Sequence, residues 1–163
     1  MKAIAVLVIL AGLTAAQTTF AQSQTAAQQR VLQEKLTGAK DITCTFPLLA
    51  TGTWTKEGEP QAEVKMSAIT LKFTDVNVEE ATAQMTSNMG TYDLIVRLAD
   101  TALHFIHAYR TGPLYTTSIF TRESTPGSGR FKAVHSRHEY TEVMLPGFTS
   151  RPEQYYGECQ VVR

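Results

Sequence analysis

The chain has 163 residues, and 15 lysine and arginine residues balance 15 aspartate and glutamate residues, so the formal net charge is zero. A chain of this length fits one domain, and its neutrality argues against a nucleic-acid partner bound through a basic surface. Hydrophobic residues make up 43% of the chain and charged residues only 18%, which argues against a disordered protein. We therefore expect one folded domain.

Residues 1–21 have the composition of a secretory signal peptide. Lys2 provides the positive start, residues 3–13 form an uninterrupted apolar run, and small and polar residues follow. The run is too short to span a membrane, which takes about 20 residues. We expect cleavage after Ala21, with a cut after Ala16 as the alternative. The result would be an exported, soluble chain of 142 residues, periplasmic or extracellular, with a net charge of −1 because Lys2 is the only charge removed.

Cys44 and Cys159 are the only cysteines, and both follow the predicted signal peptide. Export places them in an oxidising compartment, where an even number of cysteines indicates pairing. One cysteine lies near each end of the domain and no Cys-x-x-Cys motif is present, which argues against a redox role. We predict a structural disulfide that joins the first strand of the domain to the last.

Residues 22–40 form a leader, and residues 41–163 carry the signals of a β-domain. Residues 22–36 are rich in good helix formers and predict a short helix or a partly disordered segment. Apolar and polar residues then alternate in 69–74 and 92–98, which is the period of a half-buried strand.

Turn residues divide the β-domain into about eight to ten predicted strands. They lie near residues 41–48, 51–56, 61–66, 68–76, 78–86, 91–98, 101–110, 114–122, 130–139 and 156–162. The segment 78–86 is ambiguous because its composition also suits a helix. Short connections favour antiparallel neighbours, since parallel strands need a long crossover. The predicted fold is all-β, an antiparallel meander that forms a barrel or a two-sheet sandwich, with one short N-terminal helix.

The four histidines lie in two His-x-x-His pairs, His104 with His107 and His135 with His138. Positions three apart on a strand point to opposite faces, so neither pair is a ready-made chelate. Histidines from the two strands would be about 10 Å apart across the strand predicted at 114–122, which is too far to share a zinc ion. The sequence therefore predicts no metal site and no cofactor.

The densest polar segment is 134–140, in which His135, Arg137 and Glu139 share one strand face. The planar guanidinium of Arg137 suits a carboxylate or phosphate, and Arg97 lies on a nearby predicted strand. A pocket lined by such groups could bind a small anion or an acidic ligand. The predicted ligand-binding residues are Trp54, Arg97, His107, His135 and Arg137. The alternative is a solvated face whose charges form surface salt bridges.

No catalytic residues are predicted. Ser118 or Ser136 could combine with a histidine and with Asp93 or Asp100. However, a catalytic triad is defined by geometry, and no Gly-x-Ser-x-Gly elbow is present. The sequence thus favours a non-enzymatic protein.

Gly52-Thr53-Trp54 resembles the Gly-x-Trp that opens the first barrel strand of lipocalins. The resemblance implies a barrel with an internal ligand site built around Trp54. The second and third lipocalin motifs and the C-terminal helix have no clear counterpart here.

Four segments together resemble a pattern in small exported bacterial proteins with no assigned activity. They are residues 103–106, 116–120, 133–138 and 155–159. The resemblance implies a bacterial exported protein whose terminal cysteine is bridged, and it implies no activity.

The leading hypothesis is an exported, soluble β-domain without a catalytic site, acting as a small-ligand-binding or interaction module. One alternative is a lipocalin-like barrel that binds a small hydrophobic or anionic ligand. Another is a histidine-based metal protein or hydrolase. Convergence of His107, His135 and Arg137 in a cavity would favour ligand binding, whereas side chains that point to separate surfaces would argue against a site.

Overall fold

The computed structural model describes residues 26–88, 90–110, 112–139 and 151–162. Residues 26–37 form one helix, α1. The strands are β1 (Asp41–Trp54), β2 (Pro60–Asn77), β3 (Thr82–Ser87), β4 (Gly90–Ala99), β5 (Ala102–Ala108), β6 (Leu114–Glu123), β7 (Arg130–Glu139) and β8 (Arg151–Val162). Each strand pairs antiparallel with the next, and β8 pairs with β1 to close a barrel. The predicted all-β antiparallel fold is confirmed, and of the two predicted architectures the chain adopts the barrel.

The predicted signal peptide, residues 1–21, lies outside the described residues. In the part of the chain that the structure describes, α1 is too short to be a membrane span, and no other helix qualifies as one.

Two long strands replace four of the predicted short ones. The predicted segments 41–48 and 51–56 form β1, and the predicted segments 61–66 and 68–76 form β2. The register between β1 and β2 shifts between Phe46 and Leu48. A bulge of this kind bends a strand and allows it to continue, so an irregular sequence pattern does not have to mark its end.

The ambiguous segment 78–86 begins with a turn and continues as β3. The side-chain Oδ1 of Asn77 accepts hydrogen bonds from the backbone N–H groups of Glu79 and Glu80, both at 3.1 Å. Such a side-chain bond mimics a backbone turn, and Ala81 completes it with a φ of 59°. The helical alternative for this segment is therefore wrong.

Large apolar side chains fill the interior of the barrel. Phe46, Phe73, Phe105 and Phe131 are each fully buried, and the rings of Phe73 and Phe105 stack with centroids 4.2 Å apart. Barrels of eight strands enclose an interior that side chains can fill. Most of the barrel is consequently a packed core.

Helix α1 covers one end of the barrel. Leu36 is fully buried in the core, and the Lys35 Nζ lies 5.7 Å from the centroid of the Phe131 ring, near the start of β7. We call this end the helix end and the opposite end the far end. Because the strands are antiparallel, β5 and β7 finish at the far end, where β6 and β8 begin.

The seam between β1 and β8 closes the barrel. Cys44 and Cys159 are directly opposite each other in this pair and form a disulfide, with Cα atoms 4.0 Å apart. The predicted disulfide is confirmed. Gly157 also lies at the seam, and a Cβ there would overlap the carbonyl oxygen of Thr45 and lie 2.8 Å from the Cα of Phe46.

We predict that Gly157→Ala destabilises the barrel by about 2 kcal/mol or more, because neither β1 nor β8 can move apart without losing ladder hydrogen bonds. Gly52→Ala is the matched control, since an added Cβ there has no atom within 4 Å. The control should change stability by less than about 0.5 kcal/mol. Urea unfolding of both variants measures the difference, and equal effects would show that the seam tolerates a side chain.

Candidate functional site

The inner wall at the far end carries polar and aromatic side chains, unlike the mostly apolar remainder of the interior. Alternation along β4, β5, β6, β7 and β8 turns these side chains inward, and Tyr109 directly follows β5. They are Tyr92, His107, Tyr109, Tyr115, Thr117, His135, Arg137, Glu139, Glu153 and Tyr155. We call this set the luminal cluster.

His135 is the most deeply buried polar member of the luminal cluster, with 1% of its surface exposed. Its Nδ1 lies 2.8 Å from the Thr117 Oγ1 of the paired strand. Its Nε2 has no hydrogen-bond partner among the described residues. Burial, and secondarily the charge of Arg137, lowers the pKa of His135 to about 3. The imidazole is therefore neutral at physiological pH.

Arg137 lies between two tyrosine rings. Its guanidinium carbon is 5.0 Å from the centroid of Tyr115 and 5.4 Å from that of Tyr155. No carboxylate of the described residues is within 4 Å of its nitrogens as an ion pair, and its buried Nε has no hydrogen-bond partner there. The positive charge is thus stabilised by aromatic faces rather than by a salt bridge.

The same two tyrosines hold two carboxylates. Tyr115 donates its hydroxyl to the Glu139 Oε1 at 2.5 Å, and Tyr155 donates to the Glu153 Oε2 at 2.6 Å. Burial, followed by the bond to Glu153, raises the pKa of Tyr155 to about 12, and burial with the bond to Glu139 raises the pKa of Tyr115 as well. Both phenols consequently stay protonated and fix the two carboxylates beside Arg137.

His107 belongs to the same cluster through a chain of ring contacts. Its Nδ1 lies 3.2 Å from the carbonyl oxygen of Asp93. Its ring is 5.0 Å from Tyr92 and 4.0 Å from Tyr109, and Tyr109 is 5.0 Å from Tyr115. Aromatic contact is therefore continuous around the wall from β4 to β7.

The structure brings together three of the five predicted ligand-binding residues. His107, His135 and Arg137 share the inner wall, whereas Arg97 is exposed on the outer face. Trp54 ends β1, and its side chain lies outside the described residues. Arg97 is separated from the cluster because it follows the inward-facing Val96 by one position.

Sequence reasoning missed Glu153 and Tyr155, because the last strand was predicted to begin near residue 156. In the structure β8 begins at Arg151 and pairs Glu153 with Arg137 and Tyr155 with His135. The signal that could have found them is the period of two counted back from Cys159, which assigns 157, 155 and 153 to the inner face.

The other histidines point outward, as the spacing of three predicts. His104 Nδ1 lies 2.9 Å from Ser118 Oγ across β5 and β6. No carboxylate joins this pair among the described residues, and Asp93 instead accepts a hydrogen bond from Gln84. Within the described ranges, no three His, Cys, Asp or Glu residues are grouped to hold a metal ion.

A second chemically distinct surface is an apolar row on the outside of the barrel. Val134, Tyr156, Leu48 and Met66 are neighbours in register across β7, β8, β1 and β2. Met66 is 82% exposed. A groove of about 850 Å³ is lined by Val134 and Tyr156 of this row and by Phe120 of β6, and it does not reach Leu48 or Met66. The barrel wall separates it from the luminal cluster.

No protein-family model matches the chain, and no curated protein is significantly similar to it.

We predict that His135 makes the protein less stable as the pH falls. Its pKa is about 3 in the folded state and about 6.5 in the unfolded state, so the unfolded chain binds more protons between these values. The contribution of the neutral His135 to the free energy of unfolding is fully present above about pH 6.5. Below that pH it decreases by about 1.4 kcal/mol per pH unit.

Urea unfolding at pH 7.5 and at pH 5.0 measures this effect. The wild type should lose about 2 kcal/mol more than His135→Asn, which can still reach Thr117 but does not titrate. The outward-facing His138→Asn is the control and should retain the wild-type loss. An identical loss in all three proteins would contradict a buried neutral His135.

Proposed function

We propose that the protein is an exported barrel that binds a small ligand with an anionic group in the luminal cluster. The observation that carries the proposal is the pair of buried nitrogens, His135 Nε2 and Arg137 Nε, that lack a hydrogen-bond partner in the described residues. Most buried polar groups in folded proteins are paired, and an unpaired one costs about 1–3 kcal/mol. A bound ligand would satisfy both atoms.

The charge of Arg137 indicates what kind of group would bind. Its Nε–H can only donate, and its guanidinium has no ion-pair partner among the described residues. An oxyanion accepts from this N–H and neutralises the charge at the same time. A neutral His135 beside it adds no second positive charge and leaves its Nε2 available for a hydrogen bond.

The pKa values in the cluster favour holding a ligand over transferring its protons. A general acid or base works best with a pKa near the operating pH. The pKa of His135, about 3, is far below the physiological pH, and the pKa of Tyr155, about 12, is far above it. These groups keep one protonation state and therefore one pattern of donors and acceptors.

Export is part of the proposal, and the disulfide supports it. Disulfides persist in oxidising compartments and are rare in reducing ones. The Cys44–Cys159 bridge joins strands that are 115 residues apart in sequence. Together with the composition of residues 1–21, it favours a periplasmic or extracellular protein.

Processing of the full sequence tests export. Expressed in a bacterium, the chain should be recovered from the periplasm, oxidised, with Gln22 as its first residue. Mass spectrometry would distinguish this product from one beginning at Gln17. Leu10→Arg interrupts the apolar run and should leave an unprocessed chain in the cytoplasm. Recovery of unprocessed wild type there would contradict the proposal.

Ligand binding is tested by calorimetric titration with acetate, butyrate, benzoate and inorganic phosphate. At least one of these anions should bind, and Arg137→Met should weaken it by tenfold or more, about 1.4 kcal/mol, by removing the charged donor. Arg97→Met removes the same charge from the outer face and should bind like the wild type. Equal affinity of all three proteins for the anion that binds would contradict a luminal anion site, and so would the failure of every ligand with an anionic group to bind.

A further inference from the structure

We infer that the ligand of the luminal cluster is a small zwitterion, with a carboxylate at Arg137 and His135 and an ammonium group at Glu139 and Glu153. This inference rests on the binding function proposed above and adds the chemical class of the ligand. The juxtaposition behind it is one unpaired cation with two phenol-held carboxylates on adjacent strands.

The anion end of the site lies deeper in the barrel. His135 is 1% exposed, and its Nε2 is buried without a hydrogen-bond partner in the described residues. Arg137 is two residues nearer the far end on the same face, with its Nε buried and unpaired. A carboxylate that accepts hydrogen bonds from both nitrogens would satisfy them, with the proton of the neutral His135 on Nε2 and its Nδ1 accepting from Thr117.

The cation end lies at the level of Arg137 and beyond it. Glu153 is paired in register with Arg137, and Glu139 is the last residue of β7. Each carboxylate uses one oxygen to accept a tyrosine hydroxyl, which leaves the Glu139 Oε2 and the Glu153 Oε1 without a hydrogen bond in the described residues. An ammonium group has three N–H donors for such oxygens, and the nearby rings of Tyr109 and Tyr115 favour a cation.

The balance of charge separates a zwitterion from a simple anion. Arg137 contributes one positive charge to this part of the wall, and Glu139 and Glu153 contribute two negative charges. A plain carboxylate is attracted by Arg137 and repelled by both glutamates, and a dianion such as phosphate is repelled by them more strongly. A zwitterion places an opposite charge against each group.

The strand geometry sets the size of the ligand. Residues two apart on a strand are separated by about 7 Å along it, which is the step from Arg137 to Glu139. Glu153 is closer to Arg137 than Glu139 is, because it is directly opposite Arg137 on the paired strand. The two charged groups of the ligand should therefore be separated by a short chain, and γ-aminobutyrate is a suitable probe. Butyrate lacks its ammonium group, and n-butylammonium lacks its carboxylate.

Calorimetric titration of the wild type with these three probes is the test. We expect γ-aminobutyrate to bind at least tenfold more tightly than butyrate or n-butylammonium. In the double variant Glu139→Gln/Glu153→Gln, the amide oxygens can still accept the tyrosine hydroxyls, but the negative charges are gone. There γ-aminobutyrate and butyrate should bind with similar affinity. Glu57→Gln removes a charge from an exposed turn and should leave the preference for γ-aminobutyrate unchanged.

The outcomes separate this inference from the function on which it rests. Butyrate binding as tightly as γ-aminobutyrate, with Arg137→Met weakening both, would overturn the zwitterion and leave the anion site standing. Equally tight binding of n-butylammonium would also overturn it. Binding of neither carboxylate nor any other anion would overturn both proposals. The NMR signals of the His135 ring provide a second readout, since γ-aminobutyrate should shift them and leave those of His138 unchanged.

Discussion

The pairing of β1 with β8 is the constraint on which the rest of the barrel depends. It joins the two ends of the domain, so it is the strand pair with the largest loop to close, and a closed barrel has no exposed sheet edge. The Cys44–Cys159 disulfide lies within it, and restricting the unfolded chain over a loop of about 100 residues is worth about 4.7 kcal/mol in the chain-entropy model. Gly157 adds the close approach of the two backbones. The seam also fixes β8 beside β7, which places Tyr155 opposite His135.

The barrel interior has two regions, an apolar core that stabilises the fold and the polar luminal cluster. At the helix end, Leu36 and Phe131 belong to a continuous apolar core. At the far end, the ring of Phe46 lies 5.8 Å from that of His135, which marks the boundary between the two regions. Burying a cation and a neutral histidine lowers stability. The apolar core offsets this cost, and it keeps water away from the deep side of the cluster.

The inward face of the later strands could be predicted from sequence, and the barrel closure could not. Alternation alone assigned His135 and Arg137 to one face, and the structure places both inside. Alternation is the same in a sandwich and in a barrel, because closure depends on strand tilt and register across all eight strands. Arg97 shows a different limit. Its outward orientation follows from the alternation with the inward-facing Leu94 and Val96. The predicted site nevertheless includes it, because its predicted strand lies near the others.

Tyr115 and Tyr155 explain why the cluster acts as one unit. Each ring contacts His135 at its side and Arg137 across its face, and each hydroxyl binds a glutamate. The position of every charge in the cluster is thus set by the same two side chains, which are themselves anchored on the two strands that flank β7 in a closed sheet. Groups held in this way lose little conformational freedom when a ligand binds. The rigidity that barrel closure imposes is therefore what would allow a small ligand, with few contacts to offer, to be recognised.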